Sequence, residues 1–305
     1  MRDWLLFDVG DAPDMRFELD VSLDATLGCG QAHRWRRAGN VWEGVVGDDV
    51  VRMTQTDFGA EVEGCSDKAG LLRYFRSGDD LDAIVAEISE RDPYVASLAE
   101  RCPGLRILDQ GHWECLATYL LATNANVARI SKMVEAVCDL FGRDLGARRA
   151  FPTPKEILDR EDRICECRLG FRDVRLVNLA HRVEDGDFDP DGIADLDYGG
   201  CVRALRALEG VGPKVADCVA LFGYGHLNAF PVDVRIASIV ESVYGVKGSY
   251  RTVSEFGTGR FGRYAGYAQE LLYHSRAVDG PGCPRTSAEG RPSSGCISRR
   301  GSPSP

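Results

Sequence analysis

The 305-residue chain carries 37 basic and 47 acidic side chains, a formal net charge of −10, with 44% hydrophobic and 28% charged residues. That composition belongs to a globular protein able to bury a core, and with no apolar run near spanning length it speaks against a membrane protein. The negative balance also counts against nucleic acid as a partner, because phosphate contacts are the main source of such affinity. The basic side is lopsided: 32 arginines stand against five lysines, at 68, 132, 155, 214 and 247. Eleven cysteines are scattered without a Cys-x-x-Cys, and the five histidines show no ligand spacing, so a disulfide scaffold and a zinc site both drop out. With no signal-peptide pattern, the chain reads as an intracellular protein with reduced thiols, from the cytoplasm or nucleoid of a prokaryote.

The first third alternates in hydropathy. Phe17, Leu19 and Val21 share one face between Arg16, Glu18 and Asp20, which is the period of a strand. Further strands are expected at Ala32–Arg37, Val41–Val46, Val50–Thr54 and Ala60–Glu63. Turn residues Gly39-Asn40, Gly47-Asp48 and Gly59 punctuate them, and together they form an antiparallel meander with one buried face. From Lys68 the spacing becomes helical, with Leu71, Leu72 and Phe75, then Leu81, Ile84, Val85 and Ile88. Beyond His112 nearly everything is helical, with segments expected at about 112–123, 127–141, 154–160, 173–184, 198–208, 213–222, 234–244 and 265–277. The acidic loop Glu184–Asp197 is expected to be solvated surface. The segment Asp279–Pro305 turns to Gly, Pro, Ser and Arg and reads as a disordered tail. The expected fold is therefore α+β: an antiparallel sheet domain with packed helices over 1–110, an all-helical domain over 111–278, and the tail over 279–305.

The most informative segment runs from Leu208 to Cys218. Two helices are joined by Gly210-Val211-Gly212, and Pro213 occupies the first helical position, where a missing N–H costs nothing. The glycines turn the backbone tightly and offer free amides, which with the positive helix end form an anion site suited to one phosphate. This is a helix–hairpin–helix pattern, a sequence-independent grip on the DNA backbone that needs few basic side chains. Lys214 lies in the first turn of the second helix, where the helix dipole favours a neutral, nucleophilic amine. Phosphate contact alone would also explain it. Nineteen residues later, Phe230-Pro-Val-Asp233 opens the next long helix, with Asp233 as a natural N-cap. A DNA glycosylase/lyase needs this pair: the amine attacks C1′ of a nucleotide while the carboxylate stabilises the cationic sugar and assists proton transfer.

At these residues the chain resembles the helix–hairpin–helix/Gly-Pro-Asp superfamily of DNA glycosylases, and within it the 8-oxoguanine DNA glycosylase/AP lyase family. Gly30-Gln31-Ala32-His33-Arg34-Trp35 is similar to that family's Gly-Gln-x-x-Arg-Trp segment. Asn124-Ala125-Asn126-Val127-Ala128-Arg129 resembles its Asn-rich turn, Gly170-Phe171-Arg172 its Gly-aromatic-Arg loop, and Tyr264 to Gln269 the start of its last helix. The segments fall in the expected order over residues 16–278.

The resemblance implies roles for individual positions. Lys214 matches the Schiff-base nucleophile and Asp233 the catalytic aspartate. Gly30 matches the residue whose carbonyl meets N7–H of the oxidised base; guanine itself has a lone pair there, so the wrong base costs about 1–3 kcal/mol when buried. Gln269 matches the reader of the base's Watson–Crick edge, and Cys218 and Tyr273 the groups packing on its two faces. Asn124, Arg129 and Arg172 match the grip on the estranged cytosine, and Phe171 the wedge in the stack; Gly210, Gly212 and Arg235 complete the DNA contacts. The implied partner is duplex DNA with an oxidised purine opposite cytosine, bound by a monomer without metal or organic cofactor. Ala125 interrupts an Asn-Asn-Asn run, Phe171 replaces a Tyr, Arg235 a His, and His33 a Phe. Without the resemblance, Cys218, Phe171 and Tyr273 read as core residues, as do Trp4, Trp42 and Trp113. The alternatives are a glycosylase for alkylated purines, which would lack a hairpin lysine, and a non-catalytic hairpin module, which would not need the Gly30 and Gln269 segments. An iron–sulfur relative would need four clustered cysteines after Asp233, where only Cys283 and Cys296 occur.

Overall fold

The computed structural model describes residues 15–278. Five strands form one antiparallel sheet: β1 Met15–Glu18, β2 Arg36–Ala38, β3 Val41–Val46, β4 Asp49–Thr56 and β5 Gly59–Glu63, in the order β1-β5-β4-β3-β2. The meander runs β2 to β5 through two-residue turns, since Ala38 pairs with Val41, Val46 with Asp49 and Thr56 with Gly59. β1 then closes on β5 at the far edge. The alternation works as expected: Phe17, Val51, Met53, Ala60 and Val62 point to one buried face, packed with Leu23, Leu27, Trp35, Leu71 and Phe75.

Two local expectations give way. The alternating run from Phe17 leaves the sheet after Glu18, and Ser22 caps a short helix, Leu23–Gly28, through Ala25 N at 3.2 Å. Of the run expected at Ala32–Arg37, only Arg36 and Arg37 are strand. Ala32 to Trp35 are buried, and the Trp35 indole donates to the Tyr74 hydroxyl at 2.9 Å, which fixes the chain against helix Lys68–Tyr74 instead.

The helical body follows the apolar spacing closely, with helices at His112–Leu121, Val127–Phe141, Pro154–Leu158, Arg172–Glu184, Tyr198–Arg206, Pro213–Phe222, Val234–Tyr244 and Ala265–Val278. Its core extends further towards the N-terminus than a division at residue 110 implies. Helices Leu81–Arg91 and Pro93–Arg101 bury Leu81, Ile84, Ile88, Val95 and Leu98 in the helical core, not under the sheet. Arg263 binds Glu87 at 2.6 Å, Arg260 reaches buried Asp92, and the Tyr267 hydroxyl donates to Asp79 at 3.1 Å. Two helices of this body, Pro93–Arg101 and Tyr250–Phe261, have no counterpart in the sequence reading. Gly257 lies within the latter because a Cβ there would sit 2.3 Å from the Phe230 ring. The acidic loop is not wholly solvated: the Tyr224 hydroxyl donates to Pro190 O at 2.7 Å and His112 pairs with Asp191. Trp42 and Trp113 pack as core residues, whereas Trp4 and the tail 279–305 lie outside the described residues. The nine described cysteines are free thiols, all but Cys165 buried.

Candidate active site

The hairpin places its lysine through local backbone geometry. Gly210 adopts φ +82°, and a Cβ there would meet the Arg175 side chain at 2.8 Å, so the fold itself requires glycine. Gly212 is different. It N-caps helix Pro213–Phe222 in extended conformation, and a Cβ would meet nothing within 4 Å. Its glycine leaves open space at the helix N-terminus, where an anion can approach the amides. Asp217, one turn into that helix, is buried and accepts from the hydroxyls of Tyr198 (2.8 Å) and Tyr250, bracing the helix between its neighbours. Burial raises the Asp217 carboxyl, and the two hydroxyls pull it back down.

Lys214 faces a cleft of about 60 Å³ lined by Gly30, Lys214, Cys218, Asp233, Gln269 and Tyr273, with Cys29, Gln31, Tyr119 and Glu270 beside them. All six positions assigned from sequence to catalysis and base contact meet there. Asp233 caps its helix, accepting from Ile236 N at 2.8 Å through Oδ1. Cys218 follows Lys214 by one helical turn, and burial pushes its thiol up to about 12, so it stays protonated. Arg235 lies over the Tyr273 ring at 4.3 Å. His33, close enough to feel the Lys214 charge, is held down to about 4 mainly by burial and stays neutral. A larger hollow, about 730 Å³, opens between the sheet and the helices, but its lining includes Asp49, Asp67, Asp109 and Glu114 and no lysine. The smaller cleft is the one that holds the amine–carboxylate pair.

Gly30 is held in place by the buried residue beside it. Gln31 Nε2 donates to Thr26 O (2.9 Å) and Arg106 O (2.8 Å), its Oε1 accepts from Leu108 N (2.8 Å), and its carbonyl accepts from Gln110 (2.8 Å) and Tyr119 (3.0 Å). That saturated set clamps the Gly30 loop, at φ +94°, to the chain connecting the two cores. Gln31 belongs to the sequence motif, yet nothing in the sequence distinguishes a clamp from a contact residue.

A second groove adjoins the first and shares Lys214. It is lined by Thr123, Asn124, Arg175, Gly210 and Gly212 among others. Asn124 sits at its rim with φ +53°. Arg129 is exposed on the following helix, and Phe171 is 52% exposed with the guanidinium groups of Arg172 and Arg175 at 4.3 and 4.8 Å. Arg172 turns inward. Its guanidinium is buried and donates inward to the carbonyls of Thr123 and Asn124, at the left-handed turn that ends the preceding helix, and to Leu169 O. Here it shapes the Asn124 loop. Glu270 and Cys29 are cleft residues that the sequence reading missed. An acid next to Gln269 looks like an ordinary solvated helix position; the signal was its place in an apolar run, between Ala268 and Leu271-Leu272.

Comparison with known proteins gives a consistent picture. Residues 16–116 match the family model for the N-terminal domain of 8-oxoguanine DNA glycosylase. Over 284 residues the chain is 30% identical to the N-glycosylase/DNA lyase OGG1 of Arabidopsis thaliana, covering 83% of this chain and 77% of that one. It is 28% identical to the N-glycosylase/DNA lyase of Saccharomyces cerevisiae over 255 residues, 70% of this chain and 67% of the other. The 8-oxoguanine glycosylase/lyase of Clostridium acetobutylicum, solved with double-stranded DNA containing cytosine opposite 8-oxoguanine, superposes with a TM-score of 0.80 at 28% identity, covering 85% of this chain and 93% of that one.

Proposed function

Because the chain belongs to the 8-oxoguanine DNA glycosylase family, we propose that it removes 8-oxoguanine opposite cytosine from duplex DNA, with Lys214 as nucleophile and Asp233 as its carboxylate. It is a bifunctional N-glycosylase and DNA lyase of base excision repair. The observation that carries the assignment of residues is the convergence of Lys214 and Asp233 with Gly30, Cys218, Gln269 and Tyr273 in one cleft. The hairpin amides at Gly210 and Gly212 hold a phosphate beside the lesion, and Arg235 adds a cation near the cleft mouth. Phe171, flanked by arginines, fills the gap left by the flipped nucleotide, while Asn124 and Arg129 receive the orphaned cytosine, with Arg172 fixing the Asn124 loop. The cleft comes from one chain, and we take the monomer as the working unit.

The chemistry follows from the pair. The base flips into the cleft, Gly30 accepts its N7–H, and Gln269 reads the opposite edge. Lys214 attacks C1′ as the glycosidic bond breaks and its electrons leave with the base, which takes up a proton. The sugar ring then opens to an imine on Lys214, and the imine acidifies C2′ so that the 3′ phosphate leaves by β-elimination. Asp233 offsets the positive charge on the sugar throughout. Borohydride should therefore trap the protein covalently on duplex DNA containing 8-oxoguanine opposite cytosine. Lys214→Gln should abolish trapping while duplex binding remains measurable. Base release without trapping would overturn the lyase step, and no base release from any lesion would leave only a hairpin binding module.

A further inference from the structure

Two polar side chains in the lesion cleft are unfinished. Gln269 and Glu270 are each 4% exposed, they are consecutive, and both line the cleft. Gln269 Oε1 and Glu270 Oε2 are left as buried oxygens with no partner. A buried polar atom without a partner costs the fold about 1–3 kcal/mol, and in a cleft a bound ligand can supply the missing partner. We infer that Glu270 is a base-reading residue: with Gln269 it presents adjacent acceptor oxygens to the adjacent N1–H and N2–H donors of a flipped guanine-type base. The match is one of chemistry. Adenine-type and pyrimidine edges do not offer two neighbouring donors, whereas 8-oxoguanine does, and a carboxylate beside an amide oxygen can accept both.

The surroundings poise the carboxyl. Burial pushes it up to about 7, the Asp233 charge adds to this, and hydrogen bonds from Cys29 and Gln269 pull it back. The titratable groups lining its cleft are Cys29 on the Gly30 loop, Tyr119, Lys214 and Cys218 from two helices, Asp233 at a third, and Tyr273 on its own. An empty site can therefore hold Glu270 protonated, and the donors of a bound guanine draw it to the charged form.

The inference rests on the glycosylase reading, and its test separates the two. Single-turnover excision is measured for wild type, Glu270→Ala and the near-isosteric Glu270→Gln, from pH 5.5 to 9. The substrates are duplexes carrying 8-oxoguanine or 8-oxohypoxanthine, which lacks only the N2 amino group. Losing one charged acceptor should lower the 8-oxoguanine rate of the Ala variant about tenfold more than its 8-oxohypoxanthine rate. The wild-type 8-oxoguanine rate should rise with pH through neutrality, a limb absent from the Gln variant, which keeps an oxygen and cannot ionise. Equal losses on both substrates, or an unchanged profile in a Gln variant with normal thermal unfolding, would overturn the role of Glu270 alone. Failure of the wild type to release either base would overturn the glycosylase reading with it.

Discussion

Asp233 carries two duties that a single substitution can separate. Its Oδ1 caps helix Val234–Tyr244, and its charge faces the cleft that holds Lys214. Asparagine caps a helix about as well as aspartate, so Asp233→Asn should change stability by only about 0.5 kcal/mol. The charge, however, is lost. Excision should fall by about 10²-fold or more, the range for a positioned acid or base. Chemical denaturation and single-turnover kinetics on the same preparation check both halves; a variant that loses stability and keeps its rate would reduce Asp233 to a cap. At this scale the sequence was informative wherever a residue type and its spacing sit inside a motif, as with Lys214, Asp233, Gly30 and Gln269. It was silent where function depends on which way a side chain turns. Arg172 sits in its motif and turns inward to carbonyls, while Glu270 stands beside the motif's Gln269 and is buried.

At the scale of elements, the hairpin sets two glycines with different obligations: one serves the fold, the other the ligand. Gly210 is tied to a left-handed turn crowded by Arg175 and Leu120, so Gly210→Ala should lower stability by about 1–2 kcal/mol. Gly212 has ordinary φ and empty space around a built Cβ. Gly212→Ala should leave thermal unfolding nearly unchanged yet weaken duplex binding several-fold, because the new methyl occupies the phosphate's approach. If Gly212→Ala binds duplex as well as wild type, the hairpin is not the grip. Most helices were legible because apolar residues recur on one face with caps such as Asn126 and Asp197 in place. Helix Tyr250–Phe261 was not, since two glycines, two threonines and a serine depress its propensity, and packing against Phe230 and the last helix outweighs them. Leu23–Gly28 escaped because six residues are too few to show a period.

For the whole molecule, the charge count misleads because it treats every arginine as available. Many are occupied within the fold: Arg36 and Arg148 on Glu135, Arg143 on Asp48, Arg163 on Glu166, Arg251 on Glu255, Arg263 on Glu87. Planar guanidinium forks suit such pairing with carboxylates, within a helix or between elements. Beside the cleft and groove, the cations positioned for phosphate are few, chiefly Arg129, Arg175 and Arg235 once Lys214 is replaced. Binding that releases counterions from about three phosphates gives a slope near −3 for log K against log salt, at about −0.9 per contact. The Lys214→Gln protein on a lesion duplex, titrated by fluorescence anisotropy, should thus lose roughly 40-fold in affinity between 50 and 200 mM salt. A slope of about −6 or steeper would mean a broader basic field, and would bring into the interface the arginines now assigned to ion pairs. A shallow slope instead makes the hairpin amides, the wedge and the base cleft the main determinants of affinity, and an acidic DNA enzyme then needs no special explanation.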